Sequence, residues 1–168
     1  MQQVDYSKAL SRKFPEPVAL AVSIDRAHGR PNVITLGWSM CTSNQPPMLA
    51  ISVGHTRYSL ETIEECGEFV LAFPNEEQAQ ESLFCGTVSG RDHDKFAECD
   101  LEPVQASEVE PPLVRGACAN FECRVVNSCE SGDHRIFVGE VVASHVEAEP
   151  PGRLYTLPDG SLGGVKVR

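Results

Sequence analysis

Apolar and polar positions alternate with period two over several short stretches of this chain. Pro17–Ile24 places Val18, Leu20, Val22 and Ile24 on one face and small residues on the other, the pattern of a strand. Asp25–Arg30, with His28-Gly29, reads as a turn. Asn32–Trp38 and Met48–Val53 are two more apolar runs of strand length. The polar stretch between them, Thr42-Ser43-Asn44-Gln45, ends in Pro46-Pro47, which suits neither a helix nor a central strand. Short links between three strands predict antiparallel pairing.

After Val53 the period changes. Ser59 offers an N-cap, Leu60 and Ile63 follow at helical spacing, and Gly67 stands where a helix would stop. Glu68–Phe73 returns to strand character. Asn75 followed by Gln78 forms a capping-box start for a second helix that ends near Cys85-Gly86, and a third, shorter piece is expected around Asp92–Glu98. Leu101–Pro112 is acidic and broken by prolines, so it reads as an irregular connection. Ala117 to Val125 alternates again, and Arg135–Ser144 follows the turn Ser131-Gly132-Asp133, which predicts a hairpin. The tail from Pro150 is rich in turn residues. The sum is a mainly β chain of about six antiparallel strands with two or three short helices, and a small barrel is the closure that removes exposed edges.

Composition narrows the possibilities. The chain has 168 residues, 41% of them hydrophobic and 23% charged, which fits one globular domain over 1–168. Its net charge of −10 argues against nucleic acid and anionic membranes as partners. Met1 to Phe14 lacks the apolar run of a signal peptide, and no stretch is long enough to span a membrane, so a cytoplasmic protein is expected. Seven scattered cysteines suggest reduced thiols rather than a disulfide framework. The spacing of Cys118, Cys123, Cys129 and His134 does not match paired zinc knuckles, and no Cys-x-x-Cys pair is present.

Charge also points to a site. Between Arg30 and Arg115 the only basic residues other than histidine are Arg57, Arg91 and Lys95, against fourteen acids from Glu61 to Glu110. His55-Thr56-Arg57-Tyr58-Ser59 leads into the first predicted helix, and Ser89-Gly90-Arg91 with Asp94-Lys95 precedes the third. Hydroxyls and a cation at a helix start outline a phosphate site. The competing reading is a solvated surface, with Arg57 paired to Glu61 at i,i+4 and Arg91 and Lys95 paired to Asp92, Asp94 or Glu98. No Gly-x-Gly-x-x-Gly occurs, which disfavours a Rossmann fold. The strand Asn32–Trp38 carries polar Asn32, Thr35 and Gly37 and the only tryptophan; either a flat ligand lies along it or Trp38 simply packs in the core.

Taken in order, Asn32-x-x-Thr35-x-x-Trp38, Pro46-Pro47, Thr56-Arg57-Tyr58-Ser59, Glu68-Phe69-Val70, Cys85-Gly86-x-x-Ser89-Gly90-Arg91-x-x-Asp94-Lys95-Phe96, and Gly132-Asp133-His134 with Gly139-Glu140-Val141 resemble the flavin reductase-like, flavoredoxin-type FMN-binding split barrels. The resemblance covers roughly residues 14–146 and leaves 147–168 as a turn-rich extension. It implies a six-stranded antiparallel split β-barrel, usually a homodimer with FMN near the subunit interface.

Carried over by residue, it implies that Thr35, Leu36, Gly37 and Trp38 lie along the flavin with Asn32 on the same strand, and that Cys41, Thr42 and Ser43 approach the ring. Arg57, Tyr58, Ser59, Ser89, Gly90, Arg91 and Lys95 would hold the phosphate and ribityl end. His134 would lie where a nicotinamide docks; alternatively, Asp133 and His134 only form the hairpin turn. The activity implied is reduction of flavin by NADH or NADPH, with electrons passed to free flavin, a ferric complex or a partner protein. A flavoredoxin-like electron carrier and a non-catalytic flavin-binding module are the alternatives.

Overall fold

A computed structural model describes residues 1–166. A short helix, α1 (Tyr6–Leu10), precedes β1 (Glu16–Pro17), β2 (Ala19–Asp25), β3 (Arg30–Leu36), β4 (Ser39–Asn44) and β5 (Pro47–Gly54). Helix α2 (Tyr58–Cys66) leads to β6 (Glu68–Phe73), and a 3-10 turn at Glu76–Gln78 runs into α3 (Ala79–Thr87) and then α4 (Lys95–Glu98). Two minor strands, β7 (Pro103–Val104) and β8 (Leu113–Val114), are followed by the long pair β9 (Ala119–Ser131) and β10 (His134–Val146). The chain closes with β11 (Gly152–Thr156) and β12 (Leu162–Lys166).

The main sheet has seven antiparallel strands in the order β3-β2-β6-β9-β10-β5-β4. Its two end strands are consecutive in sequence: only Gly37 and Trp38 separate the end of β3 from the start of β4. Two residues span about 10 Å at most, so the opposite edges of the sheet are forced together. β3 comes against β5 without a hydrogen-bonded ladder, and the sheet closes into a barrel with one open seam.

One core cluster fills the barrel, with Ala19, Ala21, Ile34, Leu36, Ile51, Val53, Phe69, Leu71 and Phe137 packed inside. A second lies outside the sheet, where Leu20, Val22, Val33, Val70 and Ala72 meet Cys85 from α3, Phe96 from α4 and Leu101 just beyond α4. Both faces of β2 and β6 are therefore buried, which explains their nearly continuous apolar character. The main barrel is the antiparallel barrel expected from the strand pattern, in the split form that the resemblance implies, with a seventh strand and small accessory sheets added.

Several local expectations are refined. Asn32–Trp38 is not one strand: β3 stops at Leu36, and the polar segment read as a link becomes the edge strand β4, with an irregularity between Cys41 and Ser43. An edge tolerates the following prolines. Arg57, not Ser59, occupies the N-cap of α2, while Gly67 ends the helix in the left-handed conformation at φ 70°. The Asn75–Gln78 capping box is present, at the head of the 3-10 turn. Asp94 caps α4 by accepting from the Ala97 N–H at 3.2 Å. The turn-rich tail holds the β11–β12 hairpin, which pairs with β1.

Candidate functional site

Two adjoining cavities lie at the seam. The first, about 100 Å³, is lined by Thr56–Ser59 at the start of α2, by Cys85–Gly90 and by Ile34 and Lys95. The second, about 180 Å³, is lined by Ile34–Trp38, Ser52, Gly54, Arg57, Gly86 and His134. Ile34, Arg57 and Gly86 border both, so the two form one elongated cleft.

The small cavity gathers positive charge and free N–H donors. As N-cap, Arg57 gives α2 no side-chain cap, and among the described residues the Tyr58 and Ser59 N–H groups have no acceptor. The positive end of a nine-residue helix therefore opens into the cavity. The Arg57 guanidinium has no ion-pair partner among the described residues, and Arg57 is exposed. Glu61, its partner in the surface-pair reading, is instead held by Arg91.

Lys95 is 3% exposed, and its ammonium donates to the carbonyls of Val33 and Cys85 at 2.8 Å each. Three donors less two leaves one for a ligand in the cavity it lines. Burial, partly offset by Cys85 and reinforced by Arg57, holds this ammonium below the usual lysine range. An anion at the cavity floor would relieve both the burial cost and the Arg57 repulsion.

The wider cavity suits a flat body. The Ile34–Trp38 segment forms one wall, and the imidazole of His134 stands beside Trp38. His134 lies opposite Gly54 in the β5–β10 register; a Cβ on Gly54 would sit 3.5 Å from His134 Nε2. Asp133 accepts from His134 Nδ1 at 2.6 Å, and its carboxyl is lowered by that bond.

The expected site residues separate into groups. Thr35, Leu36, Gly37, Trp38, Arg57, Tyr58, Ser59, Ser89, Gly90, Lys95 and His134 all line the cleft. Asn32 lies behind it, buried, with its amide nitrogen donating to Ser59 Oγ at 2.8 Å and its Oδ1 unpartnered. Arg91 lies outside, stacked 4.8 Å over the Tyr58 ring and paired to Glu61. Cys41 and Ser43 line a separate groove with Met48, Phe121 and Val141, and Thr42 is exposed on the edge strand. Sequence reasoning did not single out Gly54, and named Gly86 only as a helix end and within the motif, not as a site residue. A glycine closing an apolar strand, and one beside a buried cysteine, are the signals that could have marked them.

The donor set is itself selective: two cations, uncapped amides and hydroxyls at one end, a glycine-lined slot with an aromatic mouth at the other. The class defined by fold and cleft is a split β-barrel with an elongated seam cleft, cationic at one end and glycine-lined at the other. The chain matches the family described as "Flavin reductase like domain" over residues 10–162 and belongs to it. An uncharacterised protein of Archaeoglobus fulgidus is 39% identical over 125 residues, covering 74% of this chain and 71% of that protein. An NADH-dependent FMN reductase of Streptomyces nodosus subsp. asukaensis is 29% identical over 136 residues, 81% of this chain and 72% of its own length. The flavoredoxin of Methanosarcina acetivorans superposes with a TM-score of 0.81 at 31% identity, over 92% of this chain and 87% of its own.

Proposed function

We propose that this protein binds FMN in the seam cleft and is an oxidoreductase that takes a hydride from NADH or NADPH and delivers electrons to a second acceptor. The observation that carries this reading is the continuity of the anion cavity with the flat cleft through Arg57 and Gly86. Arg57, Lys95 and the first amides of α2 would bind the phosphate. Ile34–Trp38 would lie along the ring and exclude water from one side. His134, oriented by Asp133 and Trp38, would border the place where the nicotinamide stacks; it need not donate a proton, because hydride transfer depends on proximity and ring alignment. FMN supplies the two-electron chemistry that no side chain of the cleft can perform.

The second subunit of a homodimer is part of this proposal. Trp38 and Met40 are exposed, and apolar grooves flank them on either side of β4, lined by Pro17, Ala50, Ile51 and Ile136 and by Leu49, Phe73, Phe121 and Val146. The first groove shares Gly37, Trp38 and Ser52 with the cleft, which supports a partner at the cleft's open side. The acidic remainder of the surface suits a basic redox partner. Seven free cysteines suit a reducing, cytoplasmic setting. No helix among the described residues is long and apolar enough to cross a membrane.

A flavoredoxin-like carrier is the second reading, favoured by the likeness to the Methanosarcina acetivorans protein. Titrating the apoprotein with FMN and then mixing anaerobically with each nicotinamide tests both. Rapid bleaching by NADH or NADPH supports the reductase. Bleaching only by dithionite or a reduced protein supports the carrier, and reduction by no donor leaves a binding module. A protein that takes up no FMN overturns the proposal.

A further inference from the structure

The two walls of the anion cavity belong to different parts of the chain: the start of α2, and the segment Cys85–Gly90. Asp25, at the end of β2, is 1% exposed and reaches both. Its Oδ1 accepts from the Tyr58 hydroxyl at 2.8 Å, which fixes the first residue of α2. Its Oδ2 lies 3.9 Å from Arg30 Nε, and Arg30 in turn donates from Nη2 to the Gly90 carbonyl at 3.0 Å and faces Asp94 across 3.7 Å. His28 contributes its N–H at 3.2 Å and its Nδ1 at 2.7 Å, so the β2–β3 turn is folded onto the same carboxylate. Gly90 also packs against Asn32 and Tyr58 so closely that a Cβ there would lie 3.2 Å from Tyr58 Cδ1.

We infer that Asp25 and Arg30 are positioning residues for the phosphate cavity: one buried carboxylate, acting through Tyr58 on one side and Arg30 on the other, sets the width between the start of α2 and the Gly90 segment. Neither Asp25 nor Arg30 lines the cavity, so neither touches the ligand. This inference rests on the FMN reading and deepens it. A cavity held at fixed width keeps its amides and cations aimed at one point, and removing a support behind its wall loosens that aim. The phosphate end should suffer while the ring end, framed by Ile34–Trp38 and His134, should not.

The experiment compares FMN with riboflavin, which has the same ring and no phosphate, as ligands of the apoprotein. Wild type, Asp25→Asn and Arg30→Gln are titrated with each, and folding is checked by circular dichroism and thermal melting. The expected result is an FMN affinity on the order of tenfold weaker in both variants, the scale at which supporting residues act on a bound ligand, with riboflavin affinity unchanged. Equal weakening for both flavins, or unchanged FMN affinity in a folded variant, overturns the inference. Arg30→Gln replaces a partly exposed side chain and carries the test if Asp25→Asn fails to fold. Wild-type protein that binds neither flavin overturns the FMN reading itself, an outcome distinct from any difference between variants.

Discussion

The rings of Trp38 and His134 stand 4.8 Å apart, centroid to centroid, and are tilted by 39°. With Asp133 bonded to Nδ1, the imidazole is held on two sides at the mouth of the flat cleft. His134→Ala should slow anaerobic reduction of the FMN-loaded protein by nicotinamide about tenfold, through poorer alignment, and leave FMN affinity unchanged. Stopped-flow reduction and an equilibrium titration separate the two effects; parallel loss of both would place His134 in flavin binding instead.

Lys95→Met removes the buried ammonium but leaves the Val33 and Cys85 carbonyls without their donor. Relief of charge burial and the cost of two orphaned acceptors oppose each other, so unfolding free energy should change by no more than about 1–2 kcal/mol. FMN affinity should nevertheless fall at least about tenfold, since a charge-assisted phosphate contact contributes roughly 1.5–3 kcal/mol. Denaturant unfolding of the apoprotein and fluorescence titration with FMN measure the two quantities.

Gly90→Ala would bring a methyl group to 3.0 Å from Asn32 Cγ and 3.2 Å from Tyr58 Cδ1, as well as onto Asn32 Oδ1. Overpacking of this kind costs about 1–3 kcal/mol, and here it would push the Gly90 segment away from α2. A lowered melting temperature together with weaker FMN binding is expected.

Glu122 makes stability depend on acid. It is fully buried, and burial alone would raise its pKa; bonds from the Ser107 N–H and hydroxyl, the Glu108 N–H and His145 Nε2 overcome this and bring it down to about 2. A carboxylate depressed in the folded state stabilises fully above its ordinary value near 4.5 and loses that contribution as the pH falls toward about 2. The wild-type melting temperature should drop steeply across that window. Glu122→Gln should melt lower at neutral pH and show a shallower acid slope.

Met40, exposed on β4 between the apolar grooves, tests the proposed dimer. Met40→Glu would bury an unpaired charge at the interface, a cost of several kcal/mol, and should shift the protein toward monomer in light scattering coupled to size exclusion. An unchanged mass would move the interface elsewhere.

Much of the barrel was legible from period two. Strands β2 and β9 stand close to where alternation predicted them, β5, β6 and β10 close to where runs of strand character did, and both Gly67 and the Asn75–Gln78 box act as written. Closure was harder to see, because it depends on β3 and β4 being opposite edges of one sheet, a long-range fact absent from any local window. The polar, proline-ended stretch after Trp38 looked like a link for the same reason: an edge strand needs only one ladder. Among the cations, i,i+4 spacing offered Glu61 to Arg57, but Arg91, thirty residues further on, takes it and leaves Arg57 to the cavity. Asp25 and Arg30 gave no sequence signal beyond flanking a turn, since their importance comes from what they meet in three dimensions.

The open seam separates the part of this scaffold that can vary from the part that cannot. Because β3 and β5 meet there without a ladder, the exposed side chain of Trp38 can be exchanged without removing a rung that holds the barrel closed across the seam. Closure rests on the Gly37–Trp38 link and on the strands behind it. New selectivity can therefore be explored at the seam while the rest of the barrel supplies foldability, so architecture and chemistry are free to diverge at different rates.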